Sequence, residues 1–129
     1  MLNDPLANMM SLLLNAERAG KKKCVIKPHS KLIRAVLDLL NENMYVGSYE
    51  IVEDGKGDFL NLNLLNRINN CGAIKPRHAV KSDEYEKFEK RYLPAQNMGI
   101  IIVSTPKGLM IHTKAKEQGL GGRLIIYCY

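Results

Sequence analysis

The chain has no tryptophan and only three cysteines. The missing tryptophan excludes little, because an apolar fraction of 46 % over 129 residues is enough for a core. The cysteines exclude more. Cys24, Cys71 and Cys128 are odd in number, far apart, and form no C-x-x-C pair. A disulfide framework or a zinc ribbon is not expected, and a reducing, intracellular setting fits better. Long hydrophobic runs are also missing. None approaches the roughly 20 residues of a membrane helix. The apolar stretch from Met9 to Leu14 follows Asp4 and Pro5, and no small-residue cleavage site comes after it. It reads as a helix face, not a signal peptide, and no membrane partner is expected.

Acid is the most informative local absence. From Arg18 to Leu37 there are seven basic residues (Arg18, Lys21, Lys22, Lys23, Lys27, Lys31 and Arg34) and no Asp or Glu. The formal net charge is +6. A basic stripe of this kind is the electrostatic footprint of a polyanion-binding surface, although a solvated surface has the same composition.

The length suits one compact domain or two small subdomains. Asp4-Pro5 opens a helix with an N-cap and a proline at the first helical position. Leu6, Met9, Met10, Leu13 and Leu14 form its apolar face, and Gly20 ends it. Lys23 to Lys27 reads as a short strand closed by Pro28. Ser30 caps a second helix, whose buried face is expected to be Ile33, Val36, Leu37, Leu40 and Met44. Tyr49 to Glu53 and Phe59 to Leu65 read as a hairpin around the turn cluster at 54–58. The second strand alternates leucine with asparagine, as a half-buried strand does. The first half is therefore α-β-α-β-β.

Asn66 to Gly72 is polar and reads as a boundary. The expected division is 1–65, a linker at 66–75, and 76–129. Ala73 to Val80 is expected to be extended. Asp83 to Tyr92 reads as a helix, with Tyr85, Phe88 and Tyr92 at helical spacing. Such a stripe more often packs in a core than stacks on bases. Gly99 to Val103 is a buried strand that enters the turn Ser104 to Gly108. A short helix at 112–118, the loop Gly119-Leu-Gly-Gly122 and a final strand from Arg123 follow. The fold class is α+β: an α-β-α-β-β unit and a mostly β unit with short helices.

Catalysis has little support. His29, His78 and His112 lack metal-ligand spacing, so neither metal nor cofactor is expected. Cys24 with His29, or Ser104 with His112, could pair as nucleophile and base, but neither lies in a nucleophile-elbow sequence and no third orienting group is evident. The glycine loop at 119–122 precedes a strand, whereas a dinucleotide fingerprint opens a helix. The 104–108 loop has a different character. Its hydroxyls hydrogen-bond to base edges, sugars or phosphates, Lys107 is a point charge for phosphate, and Gly108 lets a backbone approach closely. Gly121 and Gly122 could do the same from the neighbouring loop.

Ser104-Thr-Pro-Lys-Gly-Leu-Met110 resembles the S-T-S-K-G-[IVL]-M signature of the universal small-subunit ribosomal protein family numbered eight. Gly119-Leu-Gly-Gly-Arg-Leu-Ile-Ile-Tyr127 is similar to that family's glycine-rich ending. Asp4-Pro-Leu-Ala-Asn-Met9 and Pro28-His-Ser-Lys-Leu32 match its opening. Asn66 to Arg77 is similar to its eukaryotic and archaeal branch.

The resemblance implies a structural, non-enzymatic component of the cytoplasmic small subunit that supports assembly and translation. Its partners would be the central domain of small-subunit (18S-type) ribosomal RNA and neighbouring small-subunit ribosomal proteins. Ser104, Thr105, Lys107 and Gly108 would touch RNA, with Gly121 and Gly122 supporting close approach. Lys21, Lys22, Lys23, Lys27, Ser30 and Lys31 would meet it from the first half. One position departs: Pro106 stands where the signature has its second serine, so a hydroxyl is lost and φ is fixed. Two rivals remain, a free regulatory RNA-binding module outside the ribosome and a small enzyme dependent on Cys24.

Overall fold

The computed structural model describes residues 5–26, 31–53, 55, 59–75, 77–95 and 98–129. The chain forms two units, Met1–Asn69 and Asn70–Tyr129. The architecture is α+β with antiparallel sheets.

Unit 1 runs α1 (Pro5–Arg18), β1 (Lys23–Ile26), α2 (Lys31–Glu42), β2 (Val46–Val52) and β3 (Phe59–Leu64). Its sheet has the order β1-β3-β2. The leucine–asparagine alternation of β3 sends Leu60, Leu62 and Leu64 into the core. Register sets Cys24 beside Leu62 and Ile26 beside Leu60. Leu6, Met9, Met10, Leu13 and Ala16 of α1 are buried, as are Ile33, Val36, Leu37 and Leu40 of α2. Leu14 is only half-buried. The expected caps Asp4 and Ser30, and the turn at 54–58 apart from Gly55, lie outside the described residues.

Both helices of unit 1 end in the same hydrogen-bonded turn. In α1 the Gly20 and Lys21 amides donate to the Glu17 and Ala16 carbonyls, and Gly20 has φ +72°. In α2 the Met44 and Tyr45 amides donate to Asn41 and Leu40, and Met44 has φ +66°. This arrangement needs a left-handed residue just past the helix. The expectation that Met44 joins the buried face is therefore wrong. Its backbone turns out of the helix before its side chain could reach the core, and it is 57 % exposed.

Glu17 is an acid buried in α1, 6 % exposed, and neither carboxylate oxygen completes a hydrogen bond. Burial pushes its pKa up, and the nearby Asn66 and Ile68 backbone amides only partly offset this. A raised folded pKa favours the protonated form. The benefit is full below the unfolded value near 4.5 and is lost as pH rises through the folded value. Glu17→Gln is accordingly expected to stabilise the protein at pH 7 by about 1 kcal/mol. The gain should vanish below about pH 4. Urea unfolding at the two pH values measures it, and a variant no more stable at pH 7 would refute the account.

Unit 2 contains β4 (Cys71–Ala73), β5 (Ala79–Val80), α3 (Tyr85–Tyr92), β6 (Ile100–Thr105), β7 (Gly108–Ile111), α4 (His112–Glu117) and β8 (Gly122–Cys128). β8 lies at the centre. It pairs with β6 on one edge and with β4 and β5 on the other, while β7 extends the sheet beyond β6. The ladder begins at Asn70, whose amide and carbonyl both bond to Tyr129. Tyr85 and Phe88 of α3 are buried with Ile101, Val103, Ala115 and Leu124, and Tyr92 packs against that cluster. The aromatic stripe of α3 thus faces the core.

An eight-residue helix is too short to persist alone. Besides its aromatic face, α3 is tied down by the polar contacts of two side chains. The Tyr85 hydroxyl donates to the Leu120 carbonyl at 2.8 Å. Glu89 meets His112 Nε2 at 3.0 Å and also pairs with Lys116.

Candidate nucleic-acid interface

β6 and β7 form a hairpin in which Thr105 pairs with Gly108, leaving Pro106 and Lys107 as the turn. Ser104 and Thr105 are thus strand residues. Lys107 does not have positive φ, whereas Gly108 has φ +110°. That combination matches a type I turn followed by a glycine that restores the strand direction. Proline is favoured at the first turn position, so Pro106 suits the backbone where the family signature has serine.

The two hydroxyls have different surroundings. Ser104 is exposed, whereas Thr105 is 8 % exposed. Thr105 Oγ1 donates to the Gly108 carbonyl at 2.7 Å and accepts from the Lys107 amide at 3.2 Å. Its hydroxyl is committed to closing the turn, which makes the hairpin stiff. Pro106, Lys107 and Gly108 are exposed at the tip.

The glycines serve closeness within the sheet. A Cβ on Gly122 would lie 2.2 Å from the Ser104 carbonyl oxygen, and one on Gly121 would lie 2.5 Å from that of Val80. The strands approach where side chains are missing, and this brings the 79–82 segment, the glycine run and the base of the hairpin together.

Register reveals a residue that the sequence reading missed. Ser104 faces Leu109 on β7 and Arg123 on β8. The ladder carries a bulge between Ile102 and Val103, which leaves Ile125 as the extra residue of β8. Without that bulge Ser104 would face Leu124. With it, Leu124 enters the core opposite Val103, and exposed Arg123 stands beside Ser104. Only the position of Arg123 directly after the glycine pair could have hinted at this placement.

In unit 1, Lys21 and Lys22 occupy the link from α1 to β1, Lys23 begins β1 and Lys31 begins α2. All four are exposed. Lys27 and Ser30 lie outside the described residues.

The candidate nucleophiles are poorly placed for catalysis. Burial pushes the Cys24 thiol up and so disfavours the reactive thiolate, although Lys21 pulls slightly the other way. His112 is 3 % exposed; its Nδ1 accepts the Ile101 amide at 3.1 Å and its Nε2 faces Glu89. Both ring nitrogens are engaged, so His112 cannot serve Ser104 as a base. Among the described residues no three His, Cys, Asp or Glu side chains gather as a metal site would require, and no helix is long and apolar enough to cross a membrane.

Two α+β units, one with a stiff hairpin tipped by Lys107 and the other with an exposed lysine run, present what a polyanion-binding protein requires. Residues 4–129 match the family model of ribosomal protein S8, and the chain belongs to that family. It is a ribosomal protein of the small subunit and binds ribosomal RNA; the family is structural, not enzymatic.

Proposed function

We propose that this protein holds a helical segment in the central domain of small-subunit (18S-type) ribosomal RNA and so supports assembly of the cytoplasmic small subunit. The observation that carries the reading is the pairing of Ser104 with Arg123 at the base of a rigid hairpin tipped by Lys107. A hydroxyl, a guanidinium fork and an ammonium held by backbone ladders suit an irregular RNA helix. Regular A-form RNA hides its bases in a narrow major groove, whereas a distorted helix exposes base edges and 2′-hydroxyls. Ser104, Lys107 and Arg123 make the contacts. Thr105 and Gly108 hold the turn, and Gly121 and Gly122 let the strands close. Lys21, Lys22, Lys23 and Lys31 supply phosphate contacts from unit 1. Neighbouring small-subunit ribosomal proteins are the remaining partners.

The test is titration of the protein against a fluorescent hairpin copying that RNA helix, beside a scrambled hairpin, at two salt concentrations. Preference for the native hairpin should survive added salt. Ser104→Ala with Arg123→Ala is expected to cost about 1–3 kcal/mol of affinity and most of the discrimination. Alanine at Lys21, Lys22 and Lys23 should instead flatten the salt dependence and leave discrimination intact. Equal, salt-fragile binding to both hairpins would sink the reading and favour a nonspecific polycation.

A further inference from the structure

β1 is a terminal strand of the unit 1 sheet. The Leu64 amide donates to the Lys22 carbonyl at 2.8 Å, which marks 22 and 64 as a hydrogen-bonded pair. In an antiparallel ladder such pairs alternate. Cys24–Leu62 and Ile26–Leu60 are therefore also bonded, and the amides and carbonyls of Lys23 and Val25 point away from β3. Among the described residues these outward groups have no partner beyond a weak contact of the Cys24 thiol with the Val25 carbonyl at 4.0 Å.

Beside this edge lies a trough of about 490 Å³ between β1 and α1. Leu12, Asn15 and Ala16 line it from the helix, Ala19 from the turn that follows, and Cys24 and Val25 from the strand. Leu12 is 44 % exposed and Val25 56 %. Lys21 and Lys23 also line it, and no acid does.

We infer that the β1 edge and its trough receive an extended acidic segment of a neighbouring protein, added to the sheet as a fourth strand. Three observations select this occupant. Outward amides alternate with outward carbonyls, which another strand satisfies and a phosphate chain does not, because the carbonyls repel it. The aliphatic part of the lining, Leu12, Ala16, Ala19 and Val25, suits alternate apolar side chains of a strand better than it suits a ribose. The lysines repel a second copy of this same edge and attract acid, so pairing between copies is disfavoured. Lys21 and Lys23 are also among the lysines proposed above to meet RNA phosphate; the inference rests on the β1 amides and carbonyls and on the trough, and it stands apart from the RNA reading of the hairpin in unit 2.

The test uses the full chain labelled with ¹⁵N and a short peptide alternating aspartate with valine. Saturable binding is expected, with exchange of the Lys23 and Val25 amides slowed about tenfold or more. The Cys24 amide, already bonded to β3, should not change. A peptide with lysine in place of aspartate should not bind. Lys23→Glu, a surface change that leaves the core untouched, should abolish binding of the acidic peptide. Shifts at the lysines without slowed amide exchange would reduce the effect to charge attraction and overturn the inference. It would equally be overturned if the ribosomal RNA hairpin alone protected the same two amides, because the edge would then belong to RNA. Failure of the hairpin to bind, with peptide protection intact, would count only against the RNA reading.

Discussion

One methyl group at Gly122 is expected to break the sheet of unit 2. In Gly122→Ala the new carbon would sit 2.2 Å from the Ser104 carbonyl oxygen and 2.9 Å from its carbonyl carbon. Both atoms are backbone, so no side-chain rotation relieves the clash. β8 must move off β6, and these two strands form the middle of the sheet. The expected cost is about 3–5 kcal/mol, at the upper end for a single substitution. RNA affinity should fall with it, because the same shift separates Arg123 from Ser104. Gly119→Ala is the control. Unlike Gly122, Gly119 has a positive φ, +66°, but a Cβ there meets nothing within 4 Å. Only the conformational penalty of about 1 kcal/mol is expected. Thermal unfolding of both variants, followed by hairpin titration of whatever folds, checks the order. A Gly122→Ala protein as stable as Gly119→Ala would mean that the β6–β8 register can slide, and the account of the Ser104–Arg123 pair would fail with it.

Glu89→Ala is expected to be nearly as damaging, about 3 kcal/mol. The carboxylate is the shared partner of His112 Nε2 and Lys116, and its removal leaves a buried imidazole N–H with no acceptor. It also frees α3 from α4. Glu89→Gln keeps an acceptor and should cost less than half as much. The same cluster sets a pH dependence. Nδ1 of His112 accepts the Ile101 amide, so a proton placed there would oppose one N–H to another. Burial holds the His112 pKa below 6.5 and outweighs the attraction of Glu89. With a depressed folded pKa, stability is full above the unfolded value and is lost as pH falls from about 6.5 through the folded value. Denaturant midpoints at pH 7.5 and 5.5 measure this. His112→Gln should flatten that part of the profile, and an unchanged slope would remove His112 from the explanation.

Periodicity was legible wherever one face of an element meets a core. α1, α2 and β3 follow their apolar patterns because burial alone selects those positions. The pattern misled at Met44, where hydrophobic spacing continues for one residue after hydrogen bonding has turned the chain out of the helix. The glycine pair signalled close approach but not what approaches. That depends on the strands at Val80 and Ser104, far away in sequence. Arg123 was invisible because a bulge, not a motif, chooses the residue opposite Ser104. Thr105 looked equivalent to Ser104 until alternation along β6 buried one hydroxyl and exposed the other. The Glu89–His112 contact joins two short helices on either side of β6 and β7 in sequence, and no local spacing encodes it.

The central place of β8 has a consequence for how the chain is made. Every strand that β8 touches in unit 2 is translated before it. Unit 1 can therefore close while synthesis continues, because all of its strands precede residue 65. The sheet of unit 2 has no middle until Gly122–Cys128 has left the exit tunnel. A chain interrupted before that point would carry the lysine run but neither Arg123 nor the strand that backs Ser104. On the proposed reading such a fragment would still be drawn to RNA by charge, yet it would lack the shaped contact. Translation order thus leaves the proposed Ser104–Arg123 contact until every other strand of unit 2 has been made.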